Sequence, residues 1–154
     1  MDANMSLDKY DHALLALLQL NCQTPLRELA EAVHLSTASV QRRIQKLKDS
    51  GYIQSTTAIL DPDKLNKVIT IFVEVQVEKN DMNSLRQLKK DFSGPEVQQC
   101  YYVTGDADFM LVLLVSHMQR FQELCDQMFH NNANVKWFRT IVVLDRVKVT
   151  LDVL

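Results

Sequence analysis

The chain has 154 residues, 47% hydrophobic and 23% charged, with a formal net charge of −2, which suits one globular domain or two small ones. No apolar run approaches the roughly 18 residues of a membrane span. The opening MDANMSLDKYD is acidic where a secretory signal would be basic, so the expected location is the cytoplasm, with no membrane partner.

With so small a net charge, any nucleic-acid contact must come from a local patch and not from the overall field. Cys22, Cys100 and Cys125 are odd in number, far apart and set among apolar residues. They are expected to be buried free thiols in a reducing compartment. No CxxC or His-rich spacing suggests a metal, and no Ser-His-Asp, Cys-His or paired-carboxylate arrangement suggests catalysis. No catalytic residue, metal or cofactor is therefore expected.

The first predicted helix follows Asp8, an acidic N-cap, with apolar residues at helical spacing through DHALLALL. Residues 21–24 break that pattern, and Pro25 suits the first turn of a second helix. Its stripe is Leu26, Leu29, Ala30 and Val33. After Val33-His34-Leu35 a third helix opens at the N-cap Ser36, turns Val40, Ile44 and Leu47 to one face, and stops at Gly51. His34 stands where a turn often has Gly, so a positive φ is expected there. Residues 55–60 read as a wing or connecting strand, followed by a turn at Asp61-Pro62-Asp63.

The third helix has an unusual outer face. Ser36, Thr37, Ala38 and Ser39 lie at its open end, and Gln41, Arg42, Arg43, Gln45 and Lys46 follow. No acid occurs from Ser36 to Lys48. Small residues in front allow close approach to a major groove, Gln and Arg reach base edges, and Lys meets phosphate. Together with the helix-turn-helix spacing, this points to double-stranded DNA as a partner. Arg43, nearer the core side, suits either a phosphate contact or an ion pair with Glu28, Glu31 or Asp11.

From residue 68 the period changes to the alternation of a strand, 68–77. A helix is predicted over 81–92, with Met82, Leu85, Leu88 and Phe92 inward, and Ser93-Gly94-Pro95 ends it. Strands at 97–104 and 109–115 form a hairpin around Thr104-Gly105-Asp106-Ala107-Asp108. A second helix spans 117–130, with Met118, Phe121, Leu124, Cys125 and Met128 as its stripe, and an extended run follows over 135–149. The order β-α-β-β-α-β is that of a ferredoxin-like layer. The fold class is thus α+β: an N-terminal winged helix-turn-helix followed by a ferredoxin-like βαββαβ sandwich. The expected domains are 1–54 for DNA binding, 55–67 as a linker, and 68–154 for sensing and oligomerisation. The sheet's second face is also apolar and needs a cover, which a second copy of the chain would supply. The hairpin tip carries a second aspartate beside an apolar strand. It is either a solvated turn or a holder of something.

Across nearly its whole length the sequence resembles the feast/famine (Lrp/AsnC) family of prokaryotic transcription regulators. LDKYDHALLALLQ resembles the family's first helix, and LRELAEAVHLSTASVQRRIQKLKDSGYI its helix-turn-helix and exit. AILDPDKL is similar to its linker, and YYVTGDADFMLVLLV with RTIVVLDRVK to its effector-sensing domain. The chain departs from the usual pattern at Asn21-Cys22-Gln23-Thr24, at Thr37 and Ser39 where prolines are frequent, and at Asn66 where Gly is usual. Operator preference therefore does not transfer from relatives.

The resemblance implies a sequence-specific, nucleoid-associated regulator whose dimers assemble further, to octamers, and respond to a small amino acid bound between sensing domains. The ammonium would go to Asp108 or Asp106, and backbone N–H groups of Thr104, Gly105, Asp106 and Ala107 would hold the carboxylate. Tyr102, Met118, Thr140, Ile141 and Val142 would form the walls, leaning towards an apolar effector such as Leu or Met. Two other readings share this architecture. One is a nucleoid-associated protein that wraps DNA with little effector control. The other is an enzyme resembling siroheme decarboxylases, for which an acid-free basic helix has little use.

Overall fold

The computed structural model describes residues 6–67, 69–78 and 82–154. The expected beginnings of the first sheet strand at Val68 and of its following helix at Asp81 lie outside the described residues. The chain forms two compact units. One runs up to Ile59 and includes Val149–Leu154; the other is Leu60–Lys148. The last residues, expected with the sensing domain, thus group with the helical unit.

In the first unit, α1 (Lys9–Leu20) opens with a reciprocal cap. The Asp8 carboxylate accepts from Tyr10 N–H at 2.8 Å and Asp11 N–H at 2.9 Å, while the Asp11 carboxylate accepts from Asp8 N–H at 3.2 Å. Three otherwise orphaned amides at the helix start are thereby satisfied. α2 (Leu26–Val33) begins one residue later than expected, with Pro25 as its N-cap and the Pro25 carbonyl accepting from Leu29 N–H. His34 ends it at φ 55, ψ 45, the left-handed conformation its position demands. α3 (Thr37–Asp49) is capped by Ser36, whose hydroxyl accepts from Ser39 N–H at 3.2 Å. Leu14, Leu29, Ala30, Val33 and Val40 make the core, and Leu26 stays largely in solvent. Residues 55–60 carry no regular secondary structure. The expected wing strand is thus not formed: among the described residues no strand pairs with 55–60.

The second unit has β1 (Ile69–Val77), α4 (Met82–Asp91), β2 (Val97–Tyr102), β3 (Phe109–Val115), α5 (Met118–Cys125) with a π-helical turn at Asp126–His130, and β4 (Val135–Val142). The antiparallel sheet has the order β2-β3-β1-β4. Alternation sends Ile71, Val73, Val75 and Val77 of β1 to the helix side, with Phe109, Leu111, Leu113 and Val115 beside them. Phe92, Phe109 and Phe129 are fully buried, and the Phe92 ring meets the other two at centroid distances of 5.2 and 5.8 Å. The π-turn breaks the expected 117–130 helix and brings both Met128 and Phe129 into the core. β4 ends at Val142, short of the predicted run, and the Val143 N–H donates to the Thr70 carbonyl.

Four further residues expected to be buried are not. Met82 and Met118, each the first residue of its helix, remain exposed, since their turns begin beyond the sheet's cover. Cys22 and Cys100 are exposed, and only Cys125 is buried, its thiol pushed up to about 11 by that burial. Cys22 lies in the open α1–α2 turn and Cys100 on an edge strand.

Candidate DNA-reading face and effector site

Along α3 the residues Ala38, Gln41, Arg42, Gln45, Lys46 and Asp49 line one shallow open groove. They repeat at helical spacing opposite Val40 and Leu47, which are buried. Thr37 and Ala38 are exposed at the N-terminal end, so backbone can come close there. Ser36 and Ser39 are tied together by the cap and contribute less reach. Gln45 donates to the Asp49 carboxylate at 2.7 Å, which fixes the orientation of its amide.

Arg43 does not belong to this face. Its guanidinium donates to Asp11 Oδ1 at 2.7 Å and to Asp8 Oδ2 at 2.9 Å, and stacks over the Tyr10 ring at 5.4 Å. The Asp11 side chain is only 10% exposed and that of Arg43 26%. The Asp11 side chain is the main reason Arg43 holds its proton more tightly than usual. The Asp11 N–H, with Arg43 behind it, keeps the Asp8 carboxyl below the ordinary carboxylate range. Of the two duties the sequence left open for Arg43, a phosphate contact or an ion pair, the structure shows the ion pair, which ties α3 to the start of α1. Of the three acids expected as its partners only Asp11 is used, and Asp8 was not foreseen.

At the sensing hairpin, Asp108 spends nearly all its polar groups on the fold. Its N–H donates to the Val75 carbonyl at 2.9 Å, and its carbonyl accepts from Val103 N–H at 2.8 Å. Its carboxylate accepts from Val77 N–H at 2.9 Å. This answers why a second carboxylate is tolerated beside an apolar strand: it pins the hairpin to the end of β1. The exposed Asp106 is held through its backbone, its carbonyl accepting from Gln76 Nε2 at 3.2 Å. Gly105 sits at the tip with φ 127, a conformation that favours glycine.

The remaining wall residues do not gather around the tip in one chain. Tyr102 does, packing on Phe109 at a centroid distance of 5.1 Å with Lys89 Nζ over its ring at 5.5 Å. Thr140, Ile141 and Val142 lie on β4, at the opposite edge of the sheet from β2. Three strand spacings of about 4.8 Å separate those edges. Alternation further divides them: Ile141 pairs with Phe72 on the open face, while Thr140 and Val142 face the helix side. Lys89 and Gln76 were missed from sequence. Gln76 was detectable in principle, since the β1–β3 register carries the hairpin tip past the end of β1. Lys89 reads as an ordinary solvated helix residue until the fold brings it over Tyr102.

Among the described residues no group of three His, Cys, Asp or Glu side chains stands ready to hold a metal ion, and no helix is long and apolar enough to cross a membrane. His117 caps α5, its Nδ1 accepting from Arg120 N–H at 3.1 Å.

Two family models match the chain: the AsnC-type helix-turn-helix domain over residues 7–48 and the Lrp/AsnC ligand binding domain over residues 70–153. The chain is 37% identical over 153 residues to an uncharacterized HTH-type transcriptional regulator of Sinorhizobium fredii, covering 99% of this chain and 90% of that protein. It is 30% identical over 145 residues to the DNA-binding transcriptional activator DecR of Escherichia coli, covering 94% and 95%. A Neisseria meningitidis transcriptional regulator solved as its L-Met complex superimposes with a TM-score of 0.89 at 28% identity, covering 95% of each chain. These relatives are named as regulators, not enzymes. A helix-turn-helix with an open α3 face, a sheet in the order β2-β3-β1-β4, and matches to both domain models identify the chain as a DNA-binding transcriptional regulator of the Lrp/AsnC family.

Proposed function

We propose that this regulator reads duplex DNA with Thr37, Ala38, Gln41, Arg42, Gln45 and Lys46. We propose too that an amino-acid effector, held at the Thr104–Asp108 hairpin between sensing units of an oligomer, alters that binding. The carrying observation is the division of labour between the two hairpin aspartates. Asp108 is committed to Val77, which leaves the exposed Asp106 carboxylate as the better receiver for a ligand ammonium by a charge-assisted hydrogen bond. The amides of the tip suit a carboxylate. Tyr102 offers one wall, and a second copy of the chain would bring the β4 residues Thr140 and Val142 that one protomer keeps at its far edge. The L-Met complex of the Neisseria meningitidis regulator supports an amino acid as the ligand class and an apolar side chain within it.

A ligand between subunits shifts assembly only by its differential affinity for the two arrangements, typically about 1–3 kcal/mol of coupling. A changed arrangement alters which pairs of α3 helices meet successive major grooves, about 34 Å apart. The test is a thermal-shift screen of the twenty amino acids, because a ligand that prefers the folded state raises its apparent stability. A hit should disappear in Asp106→Asn, with the unliganded midpoint unchanged. A shift of equal size in that variant would remove Asp106 from the site.

A further inference from the structure

The chain leaves β4 at Val142, and its last residues, Val149–Leu154, join the helical unit. One side chain of α1 grips them. Gln19 donates from Nε2 to the Leu154 carbonyl at 3.0 Å, and its Oε1 accepts from Val153 N–H at 2.8 Å. A primary amide that engages a donor and an acceptor of one extended segment imitates a neighbouring strand. The segment itself alternates, with Val149, Leu151 and Val153 separated by Thr150 and Asp152. Those three apolar side chains are nonetheless 69% exposed or more. The grip is polar and local, without a core beneath it, which is the construction of a contact that opens readily.

α1 is also the helix whose Asp8 and Asp11 hold Arg43 of α3. The segment is gripped at the C-terminal end of the helix whose N-terminal end holds Arg43, and that helix packs against α3. The segment follows β4 in sequence after residues 143–148, so the chain passes from the second unit back to the first a second time here.

We infer that Val149–Leu154 is a latch, closed by Gln19 on α1, whose release weakens duplex binding. The inference rests on the reading of α3 as the DNA-contacting helix. Its test uses the full chain, Gln19→Ala and Gln19→Glu, with amide exchange at Val153 and affinity for a mixed-sequence duplex of about 60 base pairs, some six helical turns. Gln19→Ala should speed Val153 exchange about tenfold or more, the loss expected when a single protecting contact goes, and weaken duplex binding about threefold or more. Gln19→Glu keeps the acceptor for Val153 and loses the donor to Leu154, so its values should fall between the other two.

Val153 exchange that is equally fast in all three proteins would show that no latch closes. Exchange that responds while duplex affinity stays level would make the segment a passive tie and overturn the regulatory claim. A wild-type chain with a protected Val153 and no duplex affinity would overturn the DNA-reading assignment of α3 and the regulatory claim with it, leaving the closed contact standing.

Discussion

Arg42 and Arg43 are neighbours in sequence with different surroundings, and the difference is one of helical phase. Arg42 lies in the groove of the outer face; Arg43 is turned about 100° further onto Asp8 and Asp11. Truncating Arg43 leaves the nearly buried Asp11 carboxylate without its counter-charge, which costs about 1–3 kcal/mol. Arg43→Ala should therefore lower the unfolding free energy read from denaturant titration by that amount, while Arg42→Ala stays within about 0.5 kcal/mol of wild type. In duplex titrations the order reverses: Arg42→Ala should weaken binding and reduce the salt slope by about 1. If the two variants swapped these phenotypes, the assignment of Arg43 to the fold would be wrong. The hairpin aspartates obey the same logic. Asp108→Ala deprives Val77 N–H of its acceptor and should cost about 1 kcal/mol of stability. A lost effector response in that variant alone would not identify a ligand contact, which is why Asp106→Asn is the informative change.

At the scale of elements, α5 is fastened to the start of β2 by Arg120, which donates to Glu96 from Nε at 2.9 Å and Nη2 at 2.6 Å and also reaches Glu123. The Glu96 side chain is 13% exposed, and the Arg120 guanidinium holds its carboxyl below the usual range. A carboxylate whose folded pKa is depressed stabilises the fold fully above its unfolded value of about 4.3, and that contribution fades as pH falls through the lower, folded value. Glu96→Gln should thus cost about 1 kcal/mol at neutral pH, and the gap from wild type should narrow progressively below pH of about 4 in thermal melts. A gap independent of pH would mean that packing, not charge, carries the contact. The same elements indicate what was legible beforehand. Caps, glycines and period switches are local signals, so α1, α3 and the hairpin are found within a residue or two of expectation. The π-turn at Asp126–His130 has no such signal, because it is chosen by how Met128 and Phe129 reach the core. The spacing between Tyr102 and the Thr140–Val142 stretch was not legible because strand order is non-local: a linear motif does not reveal that β2 and β4 are opposite edges, nor that Ile141 faces away from Thr140 and Val142.

For the whole molecule the open face of the sheet sets the terms. Phe72, at 37% exposure, shares this face with Tyr101, Trp137 and Ile141, all substantially exposed, and with the Glu74–Arg139 ion pair. Register places Phe72 opposite both Val112 and Ile141, so these apolar groups form one continuous patch across three strands. A lone domain seldom leaves such a patch to water, and a two-fold related copy would cover it with the same residues. Covering it would also give each protomer a neighbour, which the proposed site needs for residues from both sheet edges. Because Phe72 faces away from the helix-side core, replacing it with a charge should spare the protomer fold and strike only the association. Phe72→Asp is expected to keep the far-ultraviolet circular dichroism of wild type and to sediment as a single chain of about half the mass of the smallest wild-type species. It should lose any amino-acid thermal shift with the assembly, although Asp106 is intact. Unchanged sedimentation of the variant would remove this face from the interface, and a preserved ligand shift in the monomer would mean that the hairpin binds its effector without a second copy.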